Sequence, residues 1–274
     1  MNEFHERKIK TELYNDHFQN YKKYNIPKAQ LVIADIPYNL GVNAYGSSTE
    51  WYVGGENKNG ESKKAGKAFF DTDNDFRIAE YMHFCSHLLK KEPKENNKAP
   101  AMIVFCAFEQ MNMVIEYGKK YGFNHSYPLI FCKNYSSQVL KANMKIVGAT
   151  EYAVVLYRDK LPKFNNGCKK DINGKTIRGT GHMVFNWFNW SSDNKKRYPK
   201  LHPTQKPISL LKQLIEIFTD EGDVVIDPVA GSGSTLRASM ELKRDSYGFE
   251  IKKDFYKKAI EEMLSNVEIQ SSLF

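Results

Sequence analysis

The stretch Asp223–Thr235, DVVIDPVAGSGST, decides the fold. It has the pattern of an apolar strand ending at the acidic Asp227, followed by a glycine-rich loop that opens a helix. In open α/β sheets this arrangement lets a ligand approach the backbone at the carboxyl end of a strand, and Gly231 and Gly233 leave room for that approach. A Walker loop is excluded because no Gly-Lys-Ser/Thr follows, and Leu236 stands where a GxGxxG dinucleotide fingerprint needs glycine.

Outward from this stretch, short apolar runs alternate with segments of helical period, which predicts a largely parallel sheet flanked by helices. The predicted strands are Leu31–Ala34, Ala101–Cys106, Tyr127–Cys132, Tyr152–Tyr157, Asp223–Asp227 and Ser246–Phe249. The predicted helices are Asp75–Lys90, Glu109–Tyr121 and Pro207–Phe218. The last is the clearest, with proline at its first position and apolar residues at helical spacing.

The bulk composition is that of one large α/β domain. The chain has 274 residues, 41% of them hydrophobic, enough to bury a sizeable core as a single domain over residues 1–274. No apolar run reaches the roughly 18 residues of a membrane span, so we expect a soluble cytoplasmic protein without a secretion signal. The cysteines are too widely spaced for a disulfide framework or a metal knuckle, and we expect reduced thiols and no metal.

Two irregular stretches are candidates for holding a substrate. Residues 39–70 follow the first predicted strand, and six glycines between Asn39 and Lys67 predict a long mobile loop. Residues 158–200, here called the basic segment, hold eleven lysines and arginines against three aspartates, an excess equal to the net charge of the chain, +8. With its aromatic residues the basic segment suits a polyanion and looks too poor in periodic apolar positions to be core. A solvated lysine-rich loop is the alternative.

The sequence DIPY, Asp35 to Tyr38, directly follows the first predicted strand. A carboxylate there faces the ligand crevice of an α/β sheet, and the proline fixes the turn. Asp35 and the carbonyl of Ile36 could accept the two hydrogens of an exocyclic amine, and Tyr38 could stack on a base swung out of a duplex. An ordinary strand-ending turn is the alternative.

Two further motifs surround the glycine loop. The sequence HPTQKP, residues 202–207, has the pattern of a rigid turn at a helix start, where Lys206 and its neighbours would suit a carboxylate. His202 and Lys206 are also candidates for general acid or base groups. The alternative is an ordinary capped helix start with no role in binding. Glu250 ends the strand after the loop, where an acid can accept from both hydroxyls of an adenosine ribose.

Together these motifs resemble the β-class DNA amino-methyltransferases, in which the acidic tetrad comes first, then a target-recognition region, then HPTQKP, then the glycine loop. That order occurs here, over about residues 31 to 264. The resemblance implies a circularly permuted Rossmann-like methyltransferase sheet and S-adenosylmethionine as cofactor. It also implies base flipping, double-stranded DNA as substrate and a setting in restriction-modification. The acidic tetrad favours N6 of adenine, while N4 of cytosine stays open.

The resemblance assigns roles residue by residue. The catalytic candidates are Asp35, Ile36, Pro37 and Tyr38. The candidates for cofactor contact are Asp35, Thr204, Gln205, Lys206, Asp227, Pro228, Ala230, Gly231, Ser232, Gly233, Ser234, Phe249 and Glu250. Apart from the resemblance, the charge of the basic segment makes a further set of residues candidates for DNA contact: Lys169, Lys170, Lys175, Arg178, Lys195, Lys196 and Arg197.

Several features depart from this pattern or leave alternatives. Ile36 replaces the family's usual proline, while Val229 and Ser234 replace the usual Phe and Thr of the glycine loop. A methyltransferase acting on RNA or protein glutamine usually has its tetrad after the glycine loop, and a silent DNA-recognition subunit would have lost the acid or the loop. A homodimer is left open. The C-terminal QSSLF, Gln270 to Phe274, resembles the peptide with which replication proteins bind the sliding clamp, although a frayed tail is the simpler explanation.

Overall fold

A computed structural model of the protein describes residues 7–37, 76–134, 138–141, 146–169, 171–172, 177, 179–202 and 204–265. Its strands are β1 Thr11–Tyr14, β2 Leu31–Asp35, β3 Ala101–Cys106, β4 His125–Lys133, β5 Gln138–Lys141, β6 Ile146–Gly148, β7 Thr150–Tyr157, β8 Trp187–Trp190, β9 Val224–Asp227 and β10 Asp245–Phe249. Its α-helices are α1 Ile78–Leu88, α2 Met111–Lys120, α3 Ile208–Phe218, α4 Ser234–Glu241 and α5 Lys253–Lys258.

Eight strands form one mixed sheet in the order β1-β10-β9-β2-β3-β7-β4-β8, while β5 and β6 form a separate antiparallel pair. Neighbours from β1 to β3 run parallel, β7 is antiparallel to both β3 and β4, and β8 is parallel to β4. The carboxyl ends of all strands except β7 therefore meet, with the amino end of β7, at one edge. We call it the carboxyl edge.

The sheet is covered on both faces, because successive side chains point to opposite faces and central strands such as β2 and β3 are apolar at successive positions. Val32, Ala34 and Met102 pack on the face that carries α1 and α2. Leu31, Ile33 and Ile103 pack on the opposite face, against α3 and α4. We call this second layer the α3 face. Among the described residues no helix has the length and apolar character needed to cross a membrane.

The predicted α/β fold is confirmed, and the six predicted strands and three predicted helices all form, with small shifts at their ends. Helix α3 begins at Ile208, one residue after the proline predicted to open it.

The expectation that the basic segment contributes nothing to the core is wrong for β8. Phe188 and Trp190 of this strand are buried and pack in the core of the α3 face. They point inward because side chains alternate along the strand, with Trp187 and Asn189 exposed on the other side. Residues 39–70 and the C-terminal clamp-like peptide lie outside the described residues.

Candidate active site

The DIPY turn begins where β2 ends at the carboxyl edge. The Asp35 side chain is partly accessible, with 26% of its surface exposed, whereas Ile36 is buried. The backbone N–H of Ile36 donates to the carbonyl of Phe105 at 3.1 Å. Gln110 Nε2 donates to the carbonyl of Pro37 at 3.0 Å, and its Oε1 accepts from Ala107 N–H at 3.0 Å. Gln110, which the sequence did not single out, thus fixes the turn. Tyr38 lies outside the described residues.

Lys206 of the HPTQKP turn contacts the carboxylate of Asp35. Its Nζ lies 2.5 Å from Asp35 Oδ2 and 3.2 Å from Glu151 Oε2, and Glu151 Oε1 is paired in turn with Lys133. Glu151 belongs to the amino end of β7, and Lys133 is the last residue of β4. Neither was predicted as a site residue. Four alternating charges therefore lie side by side at the carboxyl edge.

Burial and charge oppose each other at this cluster, and charge prevails. Burial lowers the pKa of Lys206, but the carboxylates of Asp35 and Glu151 outweigh it and raise that pKa above its usual value. Burial likewise raises the pKa of Glu151, but Lys206 and Lys133 hold it below its usual value. The ring centroid of Trp190 lies 4.5 Å from Lys133 Nζ and 5.8 Å from Lys206 Nζ, distances at which cation–π attraction acts. Lys206 and Glu151 are therefore both charged near neutral pH.

The glycine loop between β9 and α4 has the tight geometry its sequence predicts. Gly231 and Gly233 have φ of 52° and 77°, in the left-handed region that favours glycine, and Gly233 precedes the first residue of α4. The N–H of Ala230 donates to the carbonyl of Phe249 at 2.8 Å, which ties the loop to the end of β10. Ser232 Oγ and Ser234 Oγ are 2.7 Å apart. The loop is therefore held rigidly at the carboxyl edge.

Two buried acids flank this loop at the ends of adjacent strands. Burial raises the pKa of Asp227 to about 7, against hydrogen bonds from Thr235 and the N–H of Val229. Burial also raises the pKa of Glu250 to about 7, although the N–H of Lys252 donates to its Oε1 at 2.7 Å. Ionised carboxylates only accept hydrogen bonds. The pair therefore fits a ligand that carries its own hydroxyl or amine donors.

The HPTQKP turn packs against the glycine loop. A Cβ on Gly231 would lie 3.7 Å from the His202 ring, whose centroid is 4.5 Å from that of Phe255. Burial, with Lys206 and Lys252 nearby, lowers the pKa of His202 to about 4, so the ring is neutral at pH 7. Gln205 Oε1 accepts from the N–H of Leu201 at 2.9 Å, and its Nε2 donates to the carbonyl of Pro199 at 3.0 Å. Gln205 thus stabilises the turn, and the cofactor contacts predicted for it and for Thr204 stay predictions.

The structure divides the basic segment into anchored and exposed cations. Lys163 is paired with Asp220 and Asp223 away from the carboxyl edge. Arg197 lies 3.6 Å from Glu241 but is also exposed. Lys169, Lys195 and Lys196 are exposed. Lys163 therefore has a structural role, whereas the DNA contacts predicted for Lys169, Lys195, Lys196 and Arg197 stay predictions. Lys170, Lys175 and Arg178 lie outside the described residues.

The fold and the site define a class. An acid-proline turn after an early strand lies at the same edge of an α/β sheet as a glycine loop after a late strand, which is the permuted Rossmann-like methyltransferase arrangement. A family model described as DNA methylase, N6_N4_Mtase, matches residues 29–262, and the chain belongs to this family. The resemblance inferred from the motif order is thus confirmed.

Individual relatives agree with this assignment. The chain is similar to the type II methyltransferase M.MjaI of Methanocaldococcus jannaschii, with 31% identity over 174 residues that cover 59% of this chain and 56% of that protein. It is 23% identical to the DNA adenine methyltransferase YhdJ of Escherichia coli over 93% of this chain and 82% of that protein. The crystal structure of an M1.HpyAVI–SAM complex matches with a TM-score of 0.58 at 21% identity, over 91% of this chain and 97% of that one. At this level of identity the similarity shows a shared fold.

Proposed function

We propose that this protein transfers a methyl group from S-adenosylmethionine to the exocyclic amine of a base flipped out of double-stranded DNA, with N6 of adenine as the acceptor. The proposal rests on one observation, that the proposed catalytic acid and the proposed cofactor residues lie at the same edge of the sheet. Asp35 ends β2, Asp227 ends the neighbouring β9, and Glu250 follows β10, so an amine acceptor and a cofactor pocket lie next to each other.

The residues of the glycine loop fit the cofactor. When bound, S-adenosylmethionine supplies a methyl group on a positively charged sulfur, ready for transfer to a nucleophile. Glu250 is placed to accept from the ribose hydroxyls, and Asp227 accepts from donors at the loop. The left-handed conformations of Gly231 and Gly233 keep side chains away from this approach. The neutral His202 ring beside Gly231 adds no positive charge that would repel the sulfonium.

On the substrate side, Asp35 and the carbonyl of Ile36 accept the two amine hydrogens, which draws the nitrogen lone pair out of the ring and towards the methyl group. Tyr38 stacks on the flipped base. With the cofactor bound, the N–C bond would form as the S–C bond breaks, S-adenosylhomocysteine would be the leaving group, and the proton lost from the amine would pass to solvent. Alignment rather than acid-base chemistry supplies most of the rate gain in such a transfer.

Adenine is favoured by the acidic tetrad, and the similarity to the adenine methyltransferase YhdJ supports this choice. The family description covers both N6 and N4 methylation, so N4 of cytosine is the second candidate. Ile36 in place of proline is the departure that bears on the choice, because it changes the rigidity of the turn that holds the amine.

The proposal is tested by transfer of tritium from labelled cofactor to DNA, RNA and protein, followed by long-read sequencing of DNA from cells that express the gene. We expect label on DNA alone and modified adenines in one sequence context. Modified cytosines would favour the second candidate, whereas an unlabelled DNA sample would contradict methylation of DNA altogether.

The variant Asp35→Ala separates catalysis from cofactor binding. We expect transfer to be abolished while the cofactor Kd, measured by calorimetry, stays within about twofold, because the substitution removes alignment of the amine rather than the pocket. Glu151 remains as a partner for Lys206 in this variant. Methylation at the wild-type rate would show that Asp35 is not the catalytic acid.

A further inference from the structure

Four charged side chains form a continuous series of contacts that ends at the proposed catalytic acid. Lys133 pairs with Glu151, Glu151 with Lys206, and Lys206 with Asp35. We propose that Glu151 and Lys133 are positioning residues for methyl transfer, which hold Lys206 and, through it, orient the carboxylate of Asp35. This inference rests on the proposed function, since it concerns the orientation of the amine acceptor.

Sheet geometry explains how residues so distant in sequence come together. Side chains alternate along a strand, so Asp35 shares the α3 face with Ile33, and Glu151 shares it with Ala153. Phe131 pairs with Glu151 across the antiparallel β7–β4 register. Lys133, two residues further along β4, is therefore a diagonal neighbour of Glu151 on the same face. Lys206 comes from the turn just before α3, the helix that covers this face.

The cluster is buried enough for each charge to need its neighbours. The exposed fractions of the side chains are 5% for Lys133, 19% for Glu151, 8% for Lys206 and 26% for Asp35. Removing one partner of a buried ion pair leaves an uncompensated charge, which is strongly unfavourable. Without Glu151, Lys206 would lose one of its two carboxylate contacts, and its ammonium group could shift and carry the carboxylate of Asp35 away from the substrate position.

The orientation of Asp35 matters because a carboxylate has two oxygens and about four lone-pair directions. Lys206 contacts Oδ2, which fixes the plane in which Oδ1 lies. An amine acceptor must be held near its productive geometry, and a displacement of about 1 Å can cost on the order of 100-fold in rate. Strands β2 and β3 separate β7 and β4 from β9, which leads into the glycine loop. Changes at Glu151 or Lys133 should therefore act first on this orientation and could reach the cofactor pocket only through Lys206.

The test compares Glu151→Gln with a matched control. Asp223→Asn removes another partly buried carboxylate that lies between two lysines, at 2.8 Å from Lys90 and 2.7 Å from Lys163, but at the amino end of β9. Single-turnover methylation at saturating cofactor and DNA is measured for both variants, together with the Tm and the Kd for each ligand. Glu151→Asp, which keeps the charge, serves as the conservative variant.

We expect Glu151→Gln to lower the single-turnover rate by about 10- to 100-fold, with both Kd values within about twofold, and Glu151→Asp to recover part of the rate. Asp223→Asn should keep the wild-type rate even if its Tm is lower than that of the wild type. If Glu151→Gln does not fold, Lys133→Met removes the far end of the cluster and should slow transfer in the same direction.

A folded Glu151→Gln protein with the wild-type rate would overturn the inference. So would equal losses of rate in Glu151→Gln and Asp223→Asn, or a loss of cofactor affinity at unchanged rate. Failure of the wild-type protein to methylate DNA would instead refute the proposed function, so the two failures are distinguishable.

Discussion

At the scale of single residues, the buried acids Asp227 and Glu250 set the conditions for ligand binding. Burial raises the pKa of each to about 7, so near neutral pH each is partly protonated in the free protein. Only the ionised form can accept from two ligand hydroxyls at full strength. Ligand binding therefore favours release of a proton, and affinity should rise with pH through the neutral range.

A pH series of cofactor binding tests this link. We expect the Kd to increase by up to about tenfold for each carboxyl as the pH falls from 8 to 6. At a pH one unit below its pKa, a carboxyl group is about 90% protonated. Glu250→Gln should weaken binding at every pH and leave a smaller pH dependence, that of Asp227. Calorimetry in two buffers with different ionisation heats measures both Kd and proton release.

Asp223→Asn provides the control for that series. Burial raises the pKa of Asp223, but hydrogen bonds from the N–H of Asp220 and from Lys163 and Lys90 hold it below its usual value, so it stays ionised between pH 6 and 8. The variant should keep the wild-type pH dependence. If Glu250→Gln keeps it as well, the titrating group lies elsewhere and the assignment of Glu250 to the cofactor is wrong.

At the scale of secondary structure elements, Asp193 connects the basic segment to helix α3. Its Oδ2 accepts from the N–H of Ile208 at 2.6 Å, and its Oδ1 accepts from the N–H of Ser209 at 3.2 Å. These are first-turn N–H groups that have no partner within the helix. A residue from one segment thus caps the helix whose leading turn carries Lys206.

Replacement of this cap should cost stability. We expect Asp193→Ala to lower the free energy of unfolding by about 0.5–2 kcal/mol, the usual effect of losing a capping oxygen. Asp193→Asn keeps one such oxygen and should lose less. Urea unfolding followed by circular dichroism gives the values, and equal midpoints for the alanine variant and the wild type would contradict the capping role.

Sequence patterns predict the strands and helices, but not which side chains of neighbouring strands contact one another. Helix α3 is predictable because burial of one face imposes a helical period, and the strand Ala101–Cys106 because burial of both faces gives a continuous apolar run. The glycine loop is predictable because its left-handed residues need glycine. Glu151 and Lys133 were missed because the register that brings β7 against β4 is a tertiary property. Strand β8 was missed because four alternating residues within a charged segment give too short a signal.

At the scale of the whole molecule, the excess positive charge is distributed unevenly. Strand β8 ends at the carboxyl edge, and the exposed Lys195 and Lys196 follow it shortly before the HPTQKP turn. Lys163, by contrast, is paired with Asp220 and Asp223. Among the described cations of the basic segment, the exposed Lys195 and Lys196 are therefore the ones that follow a strand end at the edge where Asp35 lies.

The salt dependence of DNA binding distinguishes these cations from the rest of the net charge. For a protein that neutralises phosphates, the slope of log K against log salt changes by about 0.9 for each phosphate that is no longer neutralised. If Lys195 and Lys196 each bind a phosphate, Lys195→Ala with Lys196→Ala should flatten the slope by roughly twice that amount and weaken binding to all sequences alike. Fluorescence anisotropy with a labelled duplex over a range of salt concentrations measures it.

The matched control changes the same number of charges at the opposite edge of the sheet. Lys119 and Lys120 are exposed and end α2, which leads into the amino end of β4. Because exposed charges more than a Debye length from the duplex are screened, Lys119→Ala with Lys120→Ala should leave the slope unchanged. Equal flattening by both double variants would mean that DNA responds to net charge alone, and that the carboxyl edge does not hold the duplex.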